Sequence, residues 1–269
     1  MRRVGDLVTL LALVVWVAPM GWQLVTSLTP DTELLNPAHW WPSRLTLVHY
    51  RAVLLSSPVP RALFNSAGTA VLATLLATAL GTLGAYALGR LPVPGRRPLM
   101  IGIVLSTAFP AIATVAPLYL LLRAAGLRDT WTAIILADTS FALPLVLWLV
   151  SGFMRGLPRE LEEAAMVDGA SRLEALRYVI LPTAAPGVAA AALVTFLFAW
   201  NEFLFAYTFT ATEASRTVPV ALALFPGVFE VPWGDIAAAA LLAGLPPIAI
   251  VVGLQRYLVR GLLAGALTE

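Results

Sequence analysis

Pro158–Pro182, PRELEEAAMVDGASRLEALRYVILP, is the longest charged segment of a chain that is otherwise mostly apolar. It reads as two short helices hinged at a glycine. Pro158 suits a first helical position, and Glu160, Glu162 and Glu163 fall in the opening turns, where the helix dipole favours negative charge. Gly169 is placed to end that helix in a left-handed cap. Ser171 followed by Glu174 is a capping box that restarts a helix with Leu173, Leu176 and Ile180 on one side, and Pro182 is expected to stop it. Because very apolar segments flank it, this hairpin is expected to protrude from a membrane as a rigid knob, a shape suited to docking.

Working outward, the composition requires a membrane. Of 269 residues, 59% are hydrophobic and only 12% charged, and the mean hydropathy is +0.86, far from that of a soluble domain. There are no cysteines, which removes disulfides, thiolate metal sites and cysteine nucleophiles. All 17 basic residues are arginine, so the lysine that a Walker A loop sets on its phosphates is missing and ATP must be hydrolysed elsewhere. No basic run is long enough for nucleic acid, and the net charge of +2 fits arginines flanking membrane spans.

The fold class expected is an all-α membrane protein, a single domain over residues 1–269 with six spans at about 4–28, 64–88, 99–122, 131–153, 186–210 and 236–258. The first run follows Arg2 and Arg3 without a small-x-small cleavage site after it, and is read as a retained span rather than a leader. Small residues such as Gly68, Gly81 and Gly84 recur in the second span and permit close helix approach. Pro110 and Pro117 should kink or unwind the third, and Asp129 or Thr130 should cap the fourth. A polar loop at about 29–62 holds Pro37, Trp40, Trp41 and both histidines, His39 and His49; its tryptophans suit a membrane interface or a packed surface loop. A second polar loop, about 211–235, holds Pro219, Pro226 and Trp233. The hairpin belongs to a connection at 154–185. Eleven arginines (2, 3, 90, 96, 97, 155, 159, 172, 177, 256 and 260) lie on the side of the termini and the hairpin, against six on the other, which places termini and hairpin in the cytoplasm.

Glu163-Ala164-Ala165, then Gly169, then Leu181-Pro182 resemble the EAA motif, EAA-x3-G-x9-I-x-LP, of inner-membrane permeases of ATP-binding-cassette importers, with Val179 at the usual isoleucine. Pro117-Leu118-Tyr119, Ala142-Leu143-Pro144, Trp200-Asn201-Glu202-Phe203 and Gln255-Arg256-Tyr257 are similar to the sugar-importing branch, the maltose-type permeases of the MalG-like kind. The resemblance implies a type I importer permease fold and a permease subunit without enzymatic activity. It implies carbohydrate import by alternating access, with a glycerophosphodiester or another solute as the alternative. The implied partners are a homologous second permease, two ATPase subunits that bind ATP and Mg, and an external binding protein. The cytoplasmic hairpin would be the coupling helix, with Glu162, Glu163, Ala164, Ala165, Asp168, Gly169, Leu181 and Pro182 as its coupling residues, Glu163 as the charged contact, and Leu173, Leu176 and Ile180 seating it on the membrane helices.

Polar side chains inside the spans are the other candidates. Asn201 and Glu202, near the middle of the fifth span beside Trp200, Phe203 and Phe205, either hydrogen-bond a neighbouring subunit or line a sugar path. Asp138 in the fourth span poses the same choice. An intramembrane protease is disfavoured because neither histidine lies in a span. A secondary transporter is disfavoured by the absence of a long repeat and by the hairpin.

Overall fold

The computed structural model describes residues 2–34, 41–225 and 231–266, with helices, turns and loops but no strand among them. In chain order the helices are α1 Arg2–Leu28, α2 Asp31–Leu34, α3 Val48–Ser56, α4 Val59–Arg90, α5 Arg96–Ser106, α6 Ala111–Ala124, α7 Trp131–Gly156, α8 Glu160–Val167 and α9 Arg172–Ala175. A π-helical turn, Leu176–Ile180, leads into α10 Leu181–Trp200, followed by α11 Leu204–Phe209, α12 Val218–Ala223 and α13 Trp233–Ala266. Pro37, His39, Trp40 and Pro226, and the side chains of Arg2, Arg3, Arg256, Tyr257 and Arg260, lie outside the described residues.

Among the described residues, five segments are long and apolar enough to cross a bilayer; α5 and α6, bent by 91° at the break between them, supply a sixth when taken as one span. The interruption expected of the third span is thus present at Pro110, as a break between two helices. Pro110 lacks an N–H and disfavours helical backbone at the residue before it, so α6 restarts from Pro110 itself. Pro117, by contrast, stays inside α6.

The chain forms two compact units, Met1–Phe64 with Thr217–Pro246 and Asn65–Arg216 with Pro247–Glu269. In the first, α1 is bare over its apolar stretch, with Trp16 82% exposed, and near its end Ser27 Oγ lies 2.8 Å from Tyr50 Oη. His49 corrects the loop assignment: it is buried in α3. Its Nδ1 is 2.7 Å from Asp235 Oδ1 and its Nε2 2.9 Å from the Thr29 carbonyl oxygen. A Cβ on Gly234 would stand 2.3 Å from the imidazole, so glycine is what lets α13 start against that ring. The adjoining apolar core is Val53, Val59, Ala238 and Ala239.

In the second unit, α4 and α7 run side by side in the same direction. A Cβ on Gly81 would fall 2.4 Å from Val146, and Gly68 meets Trp131 in the same register. The small residues expected in the second span therefore do bring two backbones together. Around that seam Ala77, Ala85, Val146, Val150 and Met154 pack with Leu176, Ile180 and Ala184 into one core.

Two more expectations are corrected. Pro182 does not stop the hairpin's second helix, since the chain continues through it into α10. The π turn accommodates it: Leu181 N–H reaches back to the Leu176 carbonyl, and Thr183 Oγ1 donates to the Val179 carbonyl at 2.6 Å. The fifth span is not one helix over 186–210. It runs Leu181–Trp200, breaks at Asn201, and resumes at Leu204.

Candidate functional site

The hairpin is built from local signals that the sequence displays. Gly169 adopts φ 92°, the Ala170 N–H bonds the Ala165 carbonyl at 3.0 Å and the Gly169 N–H bonds that of Met166 at 3.1 Å. This is a Schellman closure that satisfies the last carbonyls of α8. The Ser171–Glu174 capping box forms as expected, and the Ser171 hydroxyl and amide hold the Glu174 carboxyl below its usual range. Helix α8 begins at Glu160, so Pro158 precedes its first turn instead of opening it.

What fixes the hairpin to the spans was not anticipated. Arg90, the last residue of α4, donates from Nε to Glu162 Oε2 at 2.8 Å. Its Nη1 donates to the carbonyls of Met154 at 2.8 Å and Leu157 at 2.9 Å, and its Nη2 to that of Pro158 at 3.0 Å. One guanidinium thus neutralises a carboxylate of α8 and satisfies orphan carbonyls where α7 ends. Tyr86 adds a 2.6 Å hydrogen bond to Glu162 Oε1. Burial would raise the Glu162 carboxyl, but the Tyr86 and Arg90 hydrogen bonds and the charges of Arg90 and Arg172 outweigh it and the net direction is down. Arg90 ends a span and Tyr86 interrupts a small-residue stripe; those were the available signals.

The hairpin residues divide accordingly. Glu162 is turned inward, and Leu176 and Ile180 are buried. Leu173, expected beside them, is instead 68% exposed because it sits in the first turn after the Gly169 bend, and Ala175 takes the buried place. Glu163, Ala164 and Asp168 are exposed, Ala165 and Leu181 half-buried, and Pro182 exposed. Val167 is 86% exposed, so the tip carries bare apolar surface edged by carboxylates.

The span candidates are arranged differently. Glu202 caps α11: its Oε1 accepts the Phe205 N–H at 2.7 Å and its Oε2 the Ala206 N–H at 2.9 Å. Asn201 donates to the Leu197 carbonyl at 2.7 Å and is exposed. Trp200 and Phe205 are buried. Phe203 and Tyr207 are exposed and stack with centroids 5.3 Å apart, an aromatic pair of which only Phe203 was singled out from sequence. Asp138 is fully buried, with no hydrogen-bond partner for either oxygen among the described residues.

Further along the unit, Thr130 is the residue that caps α7. Asp129, at φ 61°, instead accepts the N–H groups of Ala211 at 2.7 Å and Thr212 at 3.1 Å and the hydroxyls of Thr212 and Ser215. Burial would raise its carboxyl, yet these donors prevail and hold it at about 2.

Residues 81–264 match the family described as binding-protein-dependent transport system inner membrane component. The trehalose transport system permease protein SugB of Mycobacterium tuberculosis is 44% identical over 92% of this chain and 91% of its own. The trehalose/maltose transport system permease protein MalG of Thermococcus litoralis is 38% identical over 96% and 94%. Among solved structures, a chain of a bacterial ABC transporter that imports the acidic polysaccharide alginate superposes with a TM-score of 0.82 at 21% identity, covering 94% of this chain and 95% of that one. The expected type I importer permease fold is thus present, and the chain, multi-pass and a transport component rather than an enzyme, belongs to the family of binding-protein-dependent transport inner-membrane components.

Proposed function

We propose that the chain is a carbohydrate-importing permease subunit whose hairpin, α8 to α9, couples it to a separate ATPase. It works beside a homologous permease and two ATPase subunits, which bind ATP and Mg, and receives its sugar from an external binding protein. The observation that carries this reading is the two-sided build of the hairpin. Its inner face is braced by Arg90, Tyr86 and Glu162, while its tip presents Val167 and Leu173 to the outside. A braced element passes a push to the spans without absorbing it, and a bare apolar tip is what a partner's groove would cover. The arginine bias puts that tip and both termini in the cytoplasm, where the ATPase resides.

The names of the relatives support a sugar as cargo, and so does the chemistry at the break in the fifth span. There an exposed amide, Asn201, adjoins the exposed Phe203–Tyr207 stack, a combination suited to hydroxyls and to the apolar face of a pyranose. ATP binding would bring the ATPase subunits together, the hairpins would follow, and the permease pair would open toward the binding protein.

The test pairs crosslinking with transport. A cysteine at Val167, in a chain that has none of its own, should capture the ATPase subunit, and uptake of labelled trehalose or maltose should stop when the crosslink forms. Absence of an ATPase adduct, with the complex intact, would overturn the coupling assignment. Normal ATP-driven uptake of a non-carbohydrate solute alone would overturn the cargo.

A further inference from the structure

We propose that the cleft between α5 and the ends of α4 and α7 is a binding site for an anionic phospholipid, a role independent of the cargo and of the hairpin's coupling. The cleft has a volume of about 730 Å³, and its walls differ in kind. At one end stand Arg96, Arg97 and Arg155; along the other run Ile101, Leu105 and Trp148.

The polar end is prepared for an anion. All three arginines are exposed and none is ion-paired with a carboxylate among the described residues. Arg155 spends only its Nε, on the Ser151 carbonyl at 3.2 Å, leaving the terminal nitrogens of its fork available. Helix α5, 11 residues long, starts there with no side-chain cap and no acidic residue in its first turn. The amides of Arg96 and Arg97 are therefore without helical acceptors, and the positive end of the helix dipole coincides with the three guanidinium groups. A phosphate suits this arrangement, since bidentate guanidinium contacts and helix amides recognise its oxygens.

The remaining wall decides between a soluble anion and a lipid. Ile101, Leu105 and Trp148 are 59%, 65% and 51% exposed, and no soluble phosphate would gain from them. From Arg96 to Leu105 the helix extends roughly 14 Å, room for a substantial part of an acyl chain laid along it. A tryptophan beside arginines at the ends of spans is also the composition of a bilayer boundary. Headgroup at the arginines and chain along α5 matches both halves at once, as basic pockets between membrane helices do for acidic lipids.

The experiment is native mass spectrometry of the full chain in detergent, titrated with phosphatidylglycerol, phosphatidylcholine, glycerol phosphate or inorganic phosphate. Phosphatidylglycerol should be retained well above phosphatidylcholine. Each neutralisation in the series R96Q, R97Q and R155Q should reduce that retention by about fivefold, while the lysine versions R96K, R97K and R155K keep a large part of it. Tryptophan-fluorescence melting should be unchanged throughout, because the three side chains are exposed. Equal retention of the two lipids would overturn the proposal, as would indifference to the triple glutamine variant. Displacement by inorganic or glycerol phosphate would assign the cleft to a free anion. Loss of lipid from R96Q/R97Q/R155Q together with a lowered melt would be decided by I101S/L105S, which must also weaken phosphatidylglycerol retention for the site to stand.

Discussion

Two interruptions of helix, both in the second compact unit, are built on opposite principles. At the hairpin, where α7 gives way to α8, Arg90 alone makes four hydrogen bonds and engages Glu162. At the break between α10 and α11, Glu202 caps the next helix through two backbone N–H groups, while Asn201, Phe203 and Tyr207 stand exposed. The first interruption is cross-braced by a side chain that bonds elements distant in sequence; at the second, the Asn201 and Glu202 side chains bond backbone groups three and four places away. A chain that must carry force at one place and meet a passing solute at another needs stiffness in the former and open surface in the latter.

The largest expected effect comes from removing the brace. Arg90→Ala leaves a buried carboxylate and several carbonyls without partners and should destabilise the protein by ~3–5 kcal/mol, seen as a lowered melting temperature. Adding Glu162→Gln should recover part of that loss. If the double variant is no more stable than Arg90→Ala, the ion pair is not what holds the hairpin. Val167→Asp should spare the melt, because the side chain already faces outward, but reduce ATPase association and uptake by tenfold or more, on the order of 1.4 kcal/mol or above. Were association normal, the apolar tip would have no docking role.

At the second interruption the effects are smaller. Glu202→Ala should cost about 0.5–2 kcal/mol, the usual value of a lost N-terminal cap, measured by thermal or denaturant unfolding. Glu202→Gln keeps one acceptor oxygen and should fall nearer the lower end. The last effect is read from the pH dependence of stability in acid. The Asp129 carboxyl is held at about 2 in the folded chain against an ordinary 3.8, so its stabilising contribution is complete above that ordinary value and disappears as pH falls from 3.8 toward 2. Asp129→Asn should flatten this part of the stability–pH curve, and an unchanged acid slope would show that its four donors contribute nothing net.

The same contrast separates what the sequence discloses from what it conceals. Gly169, Ser171 and Glu174 act on backbone groups within five residues, so the hairpin, its turn and its cap are readable from the string alone. The partnership of Arg90 with Glu162 joins positions far apart, and no local pattern distinguishes that glutamate from its exposed neighbour Glu163. Hydropathy likewise does not resolve the interruption at Asn201, because apolar residues flank it on both sides and an internal carboxylate reads equally as a lipid-buried group or as a cap. Pro182 does not end the helix as its type predicts, because the π turn and the Thr183 hydroxyl satisfy the carbonyls before it. Spacing alone predicts Leu173 on the inner face, whereas its place at the bend turns it outward.

The π turn at Leu176–Ile180 carries one residue more per turn than an ordinary helix and sits where the hairpin joins α10. Excising a single residue there would let the strand of hydrogen bonds relax to the common spacing, and everything upstream would swing by about 100° around the helix axis. Such a shortened chain could still thread the bilayer, yet its knob would point away from the surface it was shaped to meet. The surplus residue therefore works as an angular setting, fixing the direction in which the protein offers itself.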